Sequence, residues 1–204
     1  MNEGLTAEAL ELWRGNRRLL AGVSFSAAPG SIVHITGRNG VGKTTLLRVM
    51  CGLTRPESGQ VLWRGRRIEA DAGAFHSELA WLGHREGLRP ELTARENLEL
   101  ARRLQGREAG NAAADLEKAG IGHLVDLAVR AFSAGQKRRV ALLRVFSSGA
   151  SLWLLDEPFA NLDADGRDWG LARVREHTAA GGVCILSTHL DLDGDDVVKV
   201  NLSS

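Results

Sequence analysis

The chain has 204 residues and a formal net charge of +1, with 44 % hydrophobic and 25 % charged residues. These values are typical of one globular domain that is long enough to carry an inserted subdomain. The near-zero charge gives no basic field of the kind that attracts nucleic acid, so we expect no nucleic-acid partner.

The cysteines and the N-terminal residues bear on the cellular compartment. Cys51 and Cys184 lie far apart in apolar stretches, so we expect buried thiols rather than a disulfide or a zinc site. This cysteine usage fits a reducing compartment. The opening residues MNEGLTAEALELW lack a basic segment followed by an apolar run, which predicts no signal peptide. No stretch approaches the roughly 18 apolar residues of a membrane span.

The first part of the chain predicts strands followed by a helix. In VSFSAAPGSIVHITG a strand leads to a turn at Pro29-Gly30 and then to a second strand around Val33. VGKTTLLRVMCGL follows as a helix that ends near Gly52, because its apolar residues recur on one face. GQVLWRG and LAWLGH indicate two short strands.

Residues 92–126 have a helical pattern, with LTARENLELARRLQG, NAAADLEKAG and GHLVDLA as three helical segments. Thr93 and Glu96 have the spacing of a capping box at the start of the first. A further helix is predicted over residues 133–147, and it opens with small and polar residues that bury nothing. Such residues could instead present donors to an anion.

The last part alternates between strand and helix. SLWLLDEP is a continuous apolar run, typical of a parallel strand buried on both faces. A helix through WGLARVREHTA and a buried strand GVCILSTH follow. The alternation predicts an α/β domain with a helical subdomain inserted over about residues 85–148. The residues after His189 are too few for another domain, so we expect one domain over residues 1–204.

The segment GRNGVGKT fits the phosphate-binding pattern G-x-x-x-x-G-K-S/T between a predicted strand and a predicted helix. Its glycines let backbone N–H groups point at an anion, and the helix adds its positive end. Lys43 would bridge the β- and γ-phosphates, and the Thr44 hydroxyl would ligate Mg²⁺. The motif indicates a nucleoside triphosphate site, which kinases, GTPases, helicases and transport ATPases share. The candidate ATP-binding residues here are Gly37, Arg38, Asn39, Gly40, Val41, Gly42, Lys43, Thr44 and Thr45.

Three polar residues follow the two buried strands. Asp156 ends LWLLD, where ligands gather in open α/β sheets, so we expect it to hold Mg²⁺ through its water shell. Glu157 comes next and could polarise the attacking water as a general base. His189 closes ILSTH and could sense the γ-phosphate. The alternatives are a solvated Asp–Glu pair at a strand end and a structural histidine.

The order of the P-loop, SAGQ opening a helix, LLDEP and STH resembles the nucleotide-binding domain of ATP-binding cassette (ABC) transporters over essentially the whole chain. The resemblance implies a P-loop NTPase core with a parallel sheet, an N-terminal antiparallel β subdomain and an inserted α-helical subdomain. In that family two domains pair head to tail around ATP, and each signature helix caps the nucleotide of the other. The implied signature contacts to a partner copy are Ser133, Ala134, Gly135 and Gln136.

Further positions follow from the same resemblance. NLD resembles the D-loop, in which Asp163 would couple the two sites of a dimer. Trp13 stands where an aromatic residue usually stacks on adenine, although a core or surface tryptophan is an alternative reading. His84 takes the place of the Q-loop glutamine, and imidazole is a poorer ligand for Mg²⁺ than an amide oxygen.

LGH, ELTARENL, SAGQKRRVALLR and LDEPFANLD together resemble one branch of that family, the ATP-binding subunits of the haem exporter of cytochrome c maturation (the CcmA family). The resemblance implies an ATPase homodimer that works on integral membrane subunits from the cytoplasmic face of the inner membrane. It would energise haem handling or the release of haem from its chaperone. No direct haem binding by this chain is expected.

Other functions account for fewer of these motifs. An ABC exporter for another cargo shares them all and is the main alternative. A soluble ABC ATPase acting on DNA or ribosomes would need long coiled coils or a second cassette with a basic linker. A GTPase would need N-K-x-D, which the sequence lacks, and a kinase would leave the SAGQ helix unexplained. The intact Lys43, Asp156, Glu157 and His189 argue against a non-hydrolysing switch.

Overall fold

The computed structural model of the chain describes residues 4–106 and 110–202. These residues contain nine strands and six α-helices. The strands are β1 (Leu5–Arg14), β2 (Arg17–Ala27), β3 (Ile32–Thr36), β4 (Ser58–Trp63), β5 (Arg66–Arg67), β6 (Leu79–Leu82), β7 (Leu152–Asp156), β8 (Val183–Ser187) and β9 (Val197–Asn201). The helices are α1 (Lys43–Met50), α2 (Ala72–Ser77), α3 (Ala94–Leu104), α4 (Ala112–Lys118), α5 (Ala134–Phe146) and α6 (Ala164–Ala179).

The chain forms two compact units. The first unit contains the chain up to Trp81, Ala150–Glu157 and the chain from Glu176 onward; the second contains Leu82–Gly149 and Pro158–Arg175. Among the described residues, no helix is both long enough and apolar enough to cross a membrane.

The first unit is built on two sheets. The antiparallel sheet has the order β2-β1-β4-β5, and the five-stranded sheet has the order β6-β7-β8-β3-β9. In the latter, β8 runs parallel to both β7 and β3, and β9 runs parallel to β3. Every residue of β7 and β8 is buried, as their continuous apolar runs predict. The prediction of an α/β fold with a parallel sheet and an N-terminal antiparallel β subdomain is confirmed.

Helix α1 lies in the same apolar core as both sheets, through Leu46, Leu47 and Met50. The two cysteines are buried and free, as predicted. Burial raises the pKa of both thiols, which keeps them protonated and unreactive.

The second unit is helical and has its own core, to which α3, α4 and α5 contribute Leu98, Leu116 and Val140. The capping box at the start of α3 is present as predicted, with the Thr93 hydroxyl accepting from the Glu96 N–H and the Glu96 side chain accepting from the Thr93 N–H. Each bond satisfies a donor that the first helical turn leaves open.

The helix predicted over GHLVDLA is wrong. This segment forms a short 3-10 turn at Gly122–Leu124, and a second such turn follows at Val129–Ala131. The Val125 carbonyl of this segment, and the N–H of Val129 just after it, pair with backbone groups before and at the start of α3. Arg95 N–H donates to the Val125 carbonyl at 3.1 Å, and Val129 N–H donates to the Leu92 carbonyl at 2.9 Å. A carbonyl that accepts a hydrogen bond from a distant segment no longer accepts one from the residue four positions later, so the α-helical pattern is interrupted.

Several elements lie outside the segments that the sequence patterns indicated. Strand β1, helix α2 and strand β9 were not predicted, and β2 and α6 begin earlier than their patterns suggest. Helix α6 starts at Ala164 because the Asp163 side chain accepts the Gly166 N–H at 2.9 Å and caps it.

Candidate active site

The P-loop connects β3 to α1 through residues 37–42. Gly37 and Gly42 have φ values of +138° and +123°, in the region that favours glycine. A Cβ at Gly37 would lie 2.7 Å from the carbonyl oxygen of Leu202, and one at Gly42 would lie 2.9 Å from that of Leu19. The loop therefore needs glycine at both positions. Arg38, Asn39 and Gly40 form its exposed rim.

Helix α1 begins with its positive end open. Within the described residues, no side chain caps its N-terminus, and its first turn has no acidic residue. The N–H groups and dipole of such a helix end attract an anion. The buried Lys43 ammonium donates to the carbonyls of Gly37 and Arg38, at 2.8 and 3.4 Å. The open helix end and the lysine are therefore positively charged groups that attract an anion.

Asp156 lies at the carboxyl end of β7 and is only 4 % exposed. Its Oδ2 accepts the Thr44 hydroxyl at 2.8 Å, and its Oδ1 accepts the Ser187 hydroxyl at 2.8 Å. A hydroxyl and a carboxylate side by side are hard oxygen donors of the kind that Mg²⁺ prefers. The donor set of Thr44 and Asp156 therefore fits this ion. Sequence reasoning missed Ser187, although a hydroxyl that ends the buried run VCILS was a usable signal.

Glu157 has a strained backbone. Its φ of +46° is uncommon for a residue other than glycine. Its N–H donates to the carbonyl and the hydroxyl of Ser187, at 3.0 and 3.1 Å. Oε1 of its carboxylate lies 3.4 Å from Nε2 of His189. The structure thus brings together the two residues that the sequence proposed as general base and γ-phosphate sensor.

Trp13 and His84 are both exposed. The Trp13 side chain is 45 % exposed on β1, which rules out the core reading. Its backbone N–H donates to the Glu57 carboxylate at 3.3 Å. His84 follows β6 in the second unit. The roles assigned to these two residues stay predictions.

The signature residues start α5 with a capping box. The Ser133 hydroxyl accepts the Gln136 N–H at 3.2 Å, and the Gln136 side-chain oxygen accepts the Ser133 N–H at 2.9 Å. The Gln136 N–H, which the family resemblance implied as a contact to the nucleotide of a partner copy, is therefore occupied by the cap. The N–H groups of Ala134 and Gly135 remain as first-turn donors, since an α-helix offers them no internal acceptor.

A cavity of about 540 Å³ lies at this helix end, within the size range of ligand sites. Besides the four signature residues, it is lined by residues of the 3-10 segment, α5 and the D-loop, among them His123, Arg139, Asn161 and Asp163. Gly135 of the signature lies close to Asn161 of the D-loop. A Cβ at Gly135 would be 2.7 Å from the Asn161 carbonyl oxygen. Glycine is therefore required there.

Two arginines on α5 were missed by sequence reasoning. Arg139 donates to the Ala119 carbonyl at 2.6 Å and to the Asp163 carboxylate at 2.5 Å. The Gly166 N–H and, next, the Arg139 guanidinium lower the pKa of Asp163, so this carboxylate stays ionised. Arg138 is buried and donates to the carbonyls of Pro158 and Gly83, at 2.9 and 3.3 Å. No sequence signal separates these two from surface arginines of an amphipathic helix.

Comparison with known proteins gives consistent matches over most of the chain. The family model described as ABC transporter matches residues 20–160. Two relatives, the cytochrome c biogenesis ATP-binding export proteins CcmA of Shigella flexneri and Escherichia coli K12, are each 43 % identical over 189 residues. Each alignment covers 93 % of this chain and 90 % of the relative.

Solved structures of the same kind superpose closely. A putative ABC transporter ATP-binding protein from Pyrococcus furiosus gives a TM-score of 0.84 at 23 % identity, covering 97 % of this chain and 96 % of its own. A dimeric ATP-binding cassette in a post-hydrolysis state, bound to ADP and phosphate, gives 0.84 at 21 % identity, covering 98 % and 97 %. At these identities the likeness shows the fold.

Proposed function

The chain belongs to the ATP-binding domains of the ABC transporter family, and from this membership we propose that it is the ATP-hydrolysing subunit of a membrane complex in cytochrome c biogenesis. The family supports the ATPase activity. The two relatives, named as cytochrome c biogenesis export proteins, support the biological setting.

One connected set of side chains carries the proposal. Thr44 bonds to Asp156, Asp156 bonds to Ser187, Ser187 holds the backbone of Glu157, and the Glu157 carboxylate contacts His189. Apart from Thr44 in α1, all lie at or just after the carboxyl ends of β7 and β8, and the carboxyl ends of parallel strands are where α/β sheets bind ligands. The phosphate-binding loop leaves the same edge.

Mg²⁺ and ATP would be held by separate parts of this set. Thr44 and Asp156 would hold Mg²⁺, which neutralises charge on the phosphate oxygens when it is bound. The open N-terminus of α1 would receive the phosphates. Lys43 would exchange its bonds to the Gly37 and Arg38 carbonyls for the β- and γ-phosphates, and Trp13 would stack on the adenine.

Hydrolysis would begin with a water molecule beside Glu157. The carboxylate takes a proton from this water as the oxygen attacks the γ-phosphorus, and the bond to the β-phosphate oxygen breaks to leave ADP and phosphate. His189 would donate from Nε2 to a γ-phosphate oxygen, so its bond reports whether the γ-phosphate is present.

The signature end would act on the nucleotide of a second copy. Ser133 and the first-turn N–H groups of Ala134 and Gly135 would contact the γ-phosphate held by the P-loop of the partner, with Asp163 coupling the two sites. ATP would hold two copies together and hydrolysis would release them. Integral membrane subunits, contacted at the cytoplasmic face, would convert this cycle into haem handling or release from its chaperone. His84 would lie at the Q-loop position, and haem would bind elsewhere in the complex.

The proposal can be tested by purifying tagged Glu157→Gln protein with ATP from detergent-solubilised membranes of the source organism, followed by mass spectrometry of its partners. Haem-handling integral membrane proteins that are retained only with ATP would support it. A different permease would support an ABC exporter of another cargo and contradict the haem assignment. The matched control is the Lys43→Ala, Glu157→Gln double variant, which should retain few ATP-dependent partners because it binds ATP weakly.

A further inference from the structure

The segment that carries His189 joins β8 to β9 and is irregular over residues 188–196. The His189 side chain is 66 % exposed and has its Nε2 3.4 Å from Oε1 of Glu157. Little packing can fix a ring that is so exposed. Its direction therefore depends on how the backbone on either side of it is held.

On the N-terminal side, the backbone is held by His34 of β3. The Nε2 of His34 lies 3.0 Å from the carbonyl oxygen of Thr188, the residue before His189. Because a carbonyl can only accept, the hydrogen of this bond is on Nε2. Strand β3 continues through Thr36 into the P-loop, so the strand that leads into the phosphate loop also fixes the peptide before His189.

On the C-terminal side, the segment is held by Lys199 of β9. Its ammonium donates to the carboxylates of Asp191 and Asp193, at 2.9 and 3.0 Å. The bond to Asp191 raises the pKa of Lys199 and lowers that of Asp191, so both groups are charged at neutral pH. These side chains are exposed, which makes this the weaker of the two anchors.

The two anchors stand side by side. In the parallel pairing of β3 with β9, His34 is in register with Lys199, and paired positions place their side chains on the same face of a sheet. The residues flanking His189 are thus tied to adjacent positions of two neighbouring strands.

The burial of His34 carries a cost in free energy at one of its two ring nitrogens. The ring is 3 % exposed, and within the described part of the chain its Nδ1 has no hydrogen-bond partner. An unsatisfied buried nitrogen costs free energy that an apolar side chain of similar size would not. What the histidine adds over an apolar residue is the directed bond to the Thr188 carbonyl.

We propose that His34, assisted by Lys199, is a positioning residue that holds His189 in place for ATP hydrolysis. This inference rests on the proposed ATPase function. It adds two residues that bind no nucleotide themselves and act through the backbone next to His189. Loss of the His34 bond should therefore slow turnover and leave nucleotide affinity unchanged.

The test compares His34→Leu, His34→Gln and Lys199→Met in the full chain. Steady-state MgATP hydrolysis gives kcat and KM, calorimetry gives the affinity for MgADP, and thermal denaturation gives Tm. His34→Leu should lower kcat about fivefold to tenfold, with KM and MgADP affinity within twofold of wild type. His34→Gln should recover at least half of the activity, because the glutamine amide can donate where Nε2 does. Lys199→Met should lower kcat about twofold.

The matched control is His76→Leu, which also removes a histidine bonded to a backbone carbonyl, that of Cys51 at 3.1 Å, in the same unit. Its kcat should stay at the wild-type value. If His34→Leu lowers Tm by more than about 5 °C, His34→Asn is compared with His34→Gln instead, since both amides are polar and only glutamine reaches the Nε2 position.

Three results would overturn the inference. The first is an unchanged kcat in His34→Leu. The second is an equal loss of kcat in His34→Gln and in the variant compared with it, His34→Leu or His34→Asn. The third is a fall in MgADP affinity that parallels the fall in kcat. Wild-type protein that does not hydrolyse MgATP would instead contradict the proposed function itself, and the positioning role with it.

Discussion

Two regions of the proposed catalytic machinery, the P-loop with Asp156 and the start of α5, differ in how their polar groups are hydrogen-bonded. In the first unit, both oxygens of Asp156 accept hydroxyl hydrogens and the Lys43 ammonium is bonded to its own loop. In the second unit, the start of α5 is capped, yet it opens on a cavity of about 540 Å³. The first arrangement has the donors, acceptors and helix end to hold a nucleotide within one chain.

The described residues of the second unit contain N–H donors at the start of α5 but no phosphate-binding loop. In the proposed function these donors act on the nucleotide of a second copy. We therefore expect substitutions in the two regions to change different measured quantities, namely nucleotide affinity and turnover. Substitutions in the P-loop or at the ends of β7 and β8 should alter nucleotide affinity or the hydrolysis step in each chain. Substitutions at the signature residues should alter turnover alone.

The largest effect is expected for Glu157→Gln. The amide is isosteric with the carboxylate but cannot take a proton from water, so turnover should fall by about 10²–10⁴. Equilibrium binding should show MgATP affinity retained, and size-exclusion chromatography should show an ATP-bound dimer accumulating. Unchanged turnover would remove Glu157 from the role of general base.

Next in size is the effect of Lys43→Ala on nucleotide affinity. Charge-assisted hydrogen bonds contribute about 1.5–3 kcal/mol, so MgATP should bind roughly 10- to 150-fold more weakly in a calorimetric titration. Lys118→Ala, which changes an exposed lysine at the end of α4, is the matched control and should bind as wild type does. Wild-type affinity in Lys43→Ala would contradict the assignment of the P-loop lysine.

A smaller effect is expected for Gly135→Ala. The new methyl group would lie 2.7 Å from the Asn161 carbonyl and force the signature and the D-loop apart. Overpacking of this kind costs about 1–3 kcal/mol, and we expect turnover to fall about tenfold. MgATP affinity, measured below the dimerisation concentration, should stay within twofold of wild type.

The control for that change is Gly73→Ala in α2, where the nearest atom to the added Cβ, an oxygen of Asp71, is 3.7 Å away. It should leave both quantities unchanged. An equal loss of affinity and turnover in Gly135→Ala would show that the two ends are not separable, and the comparison would fail.

Features with a strong local signal were predicted correctly. The apolar runs of β7 and β8, the α1 helix after the P-loop and the Thr93 capping box each depend on residues within one short window. The helix predicted over GHLVDLA was wrong because the backbone of this segment pairs with residues around Leu92, some thirty positions earlier along the chain. Helical periodicity contains no information about such a distant partner.

The linear chain was enough to predict which residues would carry the chemistry: the glycines and Lys43 of the P-loop, the carboxylates at the end of β7 and the histidine after β8. Their types and spacing are dictated by how phosphate and Mg²⁺ are bound, so they are visible in a linear chain. Which other side chains hold them became visible only in the folded chain. Ser187 on Asp156 and His34 beside Thr188 meet through strand order, β8 next to both β7 and β3. That order is set by packing between segments far apart in the chain, and no local pattern specifies it.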